Sequence, residues 1–145
     1  MKKSVFIILS ILLIISITIC LYINNARRLA NLAQKNNKEY EQYYEQEILG
    51  TTLISLINKT MNYNNKNNIQ KQEDTIYYKN NDTNSIQITI KFLESDKIIN
   101  MEDIAEKQSE SFIKFFATSS FKCTNIEYHK KTNNIQSMHF EQINN

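Results

Sequence analysis

The dominant pattern in the chain is a long run without charge. From Val5 to Ile23 the residues are apolar apart from the hydroxyls of Ser10, Ser16, Thr18 and Tyr22. At 1.5 Å per residue a helix of this length reaches roughly 28 Å, the thickness of the hydrocarbon core of a bilayer. Serine and threonine hydroxyls bond back to the preceding turn, and a tyrosine suits the membrane interface. Residues 5–23 therefore predict a transmembrane helix, preceded by a short tail over residues 1–4. The run is too long for a cleaved signal and lacks a small-residue cleavage motif, so it reads as an uncleaved signal anchor. Ile17-Thr18-Ile19 before Cys20 is not a lipobox.

Beyond the apolar run the pattern turns helical and mostly polar. Residues 24–47 contain no breaker, and Leu29, Ala33, Asn36, Tyr40, Tyr43 and Glu47 recur at spacings of three and four. This narrow stripe predicts a stalk helix. The remainder, 48–145, predicts a small α+β domain. Gly50 marks either a bend or a close backbone approach. Leu49, Leu53, Leu56, Ile57 and Met61 predict a short amphipathic helix, and the Asn- and Lys-rich stretch 62–68 a loop.

The period then changes to two. Ile86, Ile88, Ile90 and Phe92 alternate with polar positions, predicting a half-buried strand. Asp74–Lys79 is the expected hairpin partner across the turn-rich segment 80–84. Ile98-Ile99 predicts a third strand, and Asn100 an N-cap with Asp103 in a capping box. The helix that follows presents Ile104, Ala105, Gln108, Phe112, Phe115 and Phe116 on one face. Phe121–Lys130 and Ile135–Ile143 predict a terminal hairpin about residues 131–134. Within it the buried parity switches after Cys123, which calls for a bulge near Thr124-Asn125. The predicted architecture is thus α+β: an N-terminal transmembrane helix continuing into a stalk helix, then a small antiparallel sheet with a packed helix.

Composition narrows the function classes. Of 145 residues, 41% are hydrophobic, with one Gly, no Pro and no Trp. Collagen-like and Gly-rich phosphate-loop proteins are excluded on that ground. The formal net charge is +2, and Lys2 and Lys3 account for all of it. Such a balance argues against a nucleic-acid partner. Charge is segregated only along the stalk, where Arg27, Arg28, Lys35 and Lys38 precede Glu39, Glu41, Glu45 and Glu47. Basic residues beside a bilayer hold anionic head groups, at about 1 kcal/mol each. Lys2 and Lys3 favour a cytoplasmic N-terminus and an extracytoplasmic C-terminal domain, whereas the basic residues after the span pull the other way.

No catalytic, cofactor-binding or metal-binding residue is assigned, and no cofactor is expected. With Cys20 inside the span, Cys123 lacks an intramolecular disulfide partner. Its place in a half-buried strand predicts a small core residue rather than a nucleophile. His129 and His139 fall on facing strands, with His139 opposite roughly Ile126, too far apart to act together. Glu127 and Glu141 lie near them, but recognisable zinc-ligand spacing is absent. Asn58-Lys59-Thr60 and Asn81-Asp82-Thr83 match glycosylation sequons, which arise by chance in a chain with 20 Asn.

An apolar helix running into a stalk and then a small sheet resembles the layout of type IV pilins and pseudopilins. The tracts Glu45–Lys59 and Phe121–His129 are similar to tracts in small single-pass membrane proteins of low-GC bacteria. The resemblance implies association with pilus or secretion machinery, with the outer half of the helix packed on the sheet. Lys3-Ser4-Val5-Phe6 stands where a prepilin carries its processing glycine, and the first carboxylate is Glu39. No functional residue of those families therefore carries over.

Two functional readings follow. One is a structural or assembly component of an envelope complex in the cell membrane, contacting the bilayer through residues 5–23 and partner membrane proteins beside it. The other is a membrane-tethered sensing or ligand-binding module using the sheet face or the Tyr40–Tyr44 patch. An enzyme is not expected, since no acid, base and nucleophile group together.

Overall fold

The structure, a computed structural model, describes residues 2–95 and 97–144. Helix α1 runs Lys2–Glu41, followed by β1 (Glu47–Leu49), α2 (Gly50–Lys66), β2 (Gln87–Lys91) and β3 (Ile98–Asn100). A π-helical segment, Asp103–Gln108, leads into α3 (Ser109–Phe116), and β4 (Ser120–Tyr128) and β5 (Ile135–Ile143) complete the order. The chain divides into two compact units, residues 1–35 and 36–145.

The first unit is helix alone. Its apolar stretch has a mean hydropathy of 2.9 over 18 residues, long and apolar enough to cross a membrane. From Val5 to Ile23 the large apolar side chains are exposed. The hydroxyls of Ser10, Ser16 and Thr18 donate to the carbonyls of Phe6, Leu12 and Ile15 at 2.7–2.8 Å. These bonds satisfy the three hydroxyl hydrogens within the helix, as the sequence predicted.

The second unit is a five-stranded sheet, order β1-β4-β5-β2-β3, with α2 and α3 packed on one face. The α+β class agrees with expectation, but the sheet is mixed. β2 lies parallel to β5, with Ile88 beside Met138 and Ile90 beside Phe140. Its antiparallel neighbour is β3. Asp74–Lys79 is not a strand. Residues 70–79 instead close a small hairpin on themselves, joined by Gln72 N–H to Tyr77 O at 2.9 Å and Lys79 N–H to Gln70 O at 2.7 Å. Asp74 at φ 54° makes its turn. With its backbone bonds spent locally, the segment leaves the flank of β2 open to the C-terminal strand.

Other element limits move for traceable reasons. α1 stops at Glu41, short of 47, although nothing in the sequence breaks it. Tyr43 and Tyr44 N–H turn back three residues at 3.0 Å, Glu45 takes φ 57°, and its N–H donates to Cys123 O. Pairing with β4 thus draws the chain off the helix and leaves Leu49 exposed at the end of β1 rather than on a helix face. α2 continues to Lys66, through residues expected as loop, because Asn64 has a buried task described below. After Asn100 a helix does begin at Met101. The Asp103 carboxylate, however, accepts from Tyr77 Oη at 2.9 Å and Lys107 Nζ at 3.2 Å rather than completing a capping box.

The core lies between the covered sheet face and the helices. Leu53, Leu56 and Ile57 of α2 meet Ile88, Ile90, Phe121, Met138 and Phe140, all essentially without exposure. Phe92, Phe112, Phe116 and Phe121 form an aromatic cluster, with Phe92 and Phe116 centroids 4.7 Å apart. The wide turns of the π segment change the phase of the helix face. Ile104 and Phe112 both point inward, while Phe115, expected on the same stripe, is 68% exposed. The predicted bulge is present: the β4–β5 register slips between Cys123 and Asn125, and its partners there are Phe140 and His139.

Candidate functional site

Alternation gives the sheet a second face, on which no helix packs among the described residues of the domain. Three rows cross it. Glu47, Lys122, Glu141 and Lys91 stand side by side from β1 to β2. Next come Asn125, His139, Thr89 and Asn100, then Glu127, Ser137 and Gln87. The first row alternates in sign, so neighbouring strands meet opposite charges.

Near the middle sits His139, whose Nδ1 is 2.9 Å from Thr89 Oγ1 and whose Nε2 is 3.6 Å from Glu141 Oε1. Ser137 Oγ donates to Glu127 Oε2 at 3.0 Å on the same face. The bulge sets this arrangement: His139 pairs with Asn125, one residue from the expected Ile126. Lys122 and Lys91 flank Glu141 in register, and two positive charges beside the carboxylate disfavour a cation there. Among the described residues no group of three or more His, Cys, Asp or Glu is placed to hold a metal ion.

Cys123 and His129 belong to other surroundings. Cys123 is fully buried opposite Phe140, and its thiol donates to Asn125 O at 3.6 Å. Burial pushes its pKa up to about 11, so the thiolate needed for nucleophilic attack is scarce at neutral pH. His129 is also buried, with Nε2 2.7 Å from Ser85 O. A carbonyl only accepts, so Nε2 carries the proton in this bond. The ring ties the β4–β5 turn to the segment entering β2. The structure thus brings His139, Glu141 and Thr89 together and keeps Cys123 and His129 apart from them.

The tyrosine cluster separates likewise. Tyr40 is buried, Tyr43 packs on the core and Tyr44 is 45% exposed. Burial raises the Tyr40 phenol. Beside it a cleft of about 400 Å³ lies between the last turns of α1 and α2, lined by Asn36, Glu39, Tyr40, Lys59, Tyr63 and Lys66 among others. Lys59 Nζ is 2.8 Å from Glu39 and 5.1 Å from the Tyr40 ring centroid. The residues that line this cleft are all polar, aromatic-hydroxyl or charged.

A second hollow, of about 370 Å³, lies between α3 and the sheet edge at β3. Phe92, Ile99, Phe112, Phe115 and Phe116 line it, with Glu94 on its rim. Periodicity put Phe112, Phe115 and Phe116 on one helix face but did not itself place the groove between that face and β3. The signal was present in one form: three Phe within five residues make an apolar arc wider than one helix–sheet contact fills. No protein-family model, no curated protein and no solved structure matches this chain.

Proposed function

We propose that the protein is a structural or assembly component of an envelope complex of the pilus or secretion kind, held in the cell membrane by residues 5–23 with its C-terminal domain outside the cytoplasm. The observation that carries this reading is a pair of exposed apolar surfaces on one small chain. One is the helix from Val5 to Ile23, whose side chains favour a bilayer over water. The other is the phenylalanine groove at β3, a surface suited to another polypeptide.

Tags at each end, tested for protease access in intact cells and in inverted vesicles, examine the topology. The expected result is a C-terminal tag cleaved in intact cells. Gentle solubilisation after crosslinking should then recover the chain with larger membrane partners. A protected C-terminal domain, or recovery without any other protein, overturns the reading. The polar cleft beside Tyr40 favours a second reading, a membrane-tethered binding module. That reading gains if a soluble envelope ligand protects Tyr40 and Lys59 from modification.

A further inference from the structure

The cleft beside Tyr40 is built from two helix faces. α1 contributes Asn36, Glu39 and Tyr40, and α2 contributes Lys59, Asn62, Tyr63 and Lys66, each set at spacings of three and four. Helices that close on each other do so through apolar side chains. Among the described residues lining this cleft none has a purely apolar side chain, and the helices leave about 400 Å³ between them. That volume suits a small molecule.

The walls are amphipathic. Tyrosine ring faces and lysine methylenes supply apolar area, while ammonium, amide and phenol groups stand at their ends. Burial raises the Tyr63 phenol, which keeps it a hydrogen-bond donor. A sugar matches such walls, since its ring has C–H faces and a rim of hydroxyls. Charge adds a second requirement. Lys59 Nζ is held by Glu39 at 2.8 Å and by the Tyr40 ring, 5.1 Å from its centroid, so the pair sums to zero. Lys66 lies seven residues further, about 10 Å along the axis of α2. It joins no ion pair among the described residues. One end of the cleft therefore carries a surplus positive charge, with Asn62 and Tyr63 between the two lysines.

We propose that this cleft binds an acidic sugar, with its anionic group on Lys66 and its hydroxyls on Asn62, Tyr63 and the Lys59–Glu39 pair. The proposal rests on the binding-module reading and gives the ligand of that reading a chemical class.

Isothermal calorimetry of the full chain in phosphatidylcholine nanodiscs compares methyl glucuronide, methyl glucoside and acetate. The glucuronide should bind tightest, about tenfold above the glucoside, the worth of one exposed charge-assisted contact. Lys66→Ala should abolish that preference and leave glucoside binding as it was, whereas Asn62→Ala should weaken both sugars. Both residues are exposed, and unchanged thermal melts should show that both variants fold. A uronate tetramer that binds more tightly than the monosaccharide assigns the site to a polymer, and equal affinity to a free sugar; either supports it. Acetate bound as tightly as the glucuronide would make the cleft a plain anion site and overturn the proposal. So would a preference that survives Lys66→Ala, or no binding by any of the three. If another soluble ligand protects Tyr40 and Lys59 from modification while neither sugar binds, the binding-module reading stands and the sugar falls. If nothing protects them, both fall.

Discussion

Asn37 and Asn64 show how much a single side chain decides in this domain. Each lies buried, and each amide satisfies both backbone groups of an incoming strand. Asn64 Nδ2 donates to Ile86 O at 2.7 Å while its Oδ1 accepts from Ile86 N–H at 3.0 Å. Asn37 does the same between Asn133 O at 2.7 Å and Ile135 N–H at 2.9 Å. Buried backbone groups left without partners are costly, so these amides define where β2 and β5 begin. In an Asn-rich chain nothing in the sequence sets these two apart from the rest. Cys123 was more legible, because alternation along its strand already placed it inside. Glu102 was not legible at all: it is buried, and its carboxylate accepts from Tyr78 N–H at 3.1 Å. Burial raises its pKa above the ordinary carboxylate value. Its stabilising contribution is therefore full below the unfolded pKa and lost as pH rises through the folded one. Glu102→Gln keeps an acceptor for Tyr78 and removes the charge. Thermal melts should show the variant at least as stable as the parent at pH 7, with the difference vanishing toward pH 4. A variant less stable at pH 7 than at pH 4, relative to the parent, would show that the charge is favourable.

At the scale of elements, packing overrode local pattern at three places. α1 ends where Glu45 joins β4, β2 takes β5 in place of the segment before it, and the π turns rotate Phe115 outward. Each depends on a contact distant in sequence, which periodicity does not contain. The bulge after Cys123 was visible because a switch of buried parity within one strand has few other causes. Gly50 resolves one of two readings: it is a close approach. Its N–H donates to Ser119 O at 2.9 Å, and a Cβ there would collide with the Phe116 carbonyl, 2.8 Å from its carbon. The obstacle is backbone at the end of α3, so it yields only by moving the helix. Gly50→Ala should cost about 3 kcal/mol, near the upper end of overpacking effects, and lower Tm by roughly 10 °C. An unchanged melt would mean that the α2–α3 junction adapts freely.

For the whole molecule, the boundary between the two units falls at residues 35 and 36. The last turns of α1 belong to the folded domain because Asn37 and Tyr40 are built into it. A fragment of residues 36–145 should therefore unfold cooperatively in urea, while 48–145, lacking both side chains, should lose several kcal/mol or fail to fold. Equal stability of the two fragments would contradict this division. The apolar span, the α+β class, the terminal hairpin with its bulge and the absence of excess charge were determined by the sequence itself, since each follows from local periodicity or from a sum over residues. Which strands became neighbours, where α1 ended, which asparagines were structural and which phenylalanine faced outward were decided only by the tertiary structure. Those outcomes turn on satisfying buried backbone groups and filling space between segments far apart in the chain, and neither condition is written in any one window of residues.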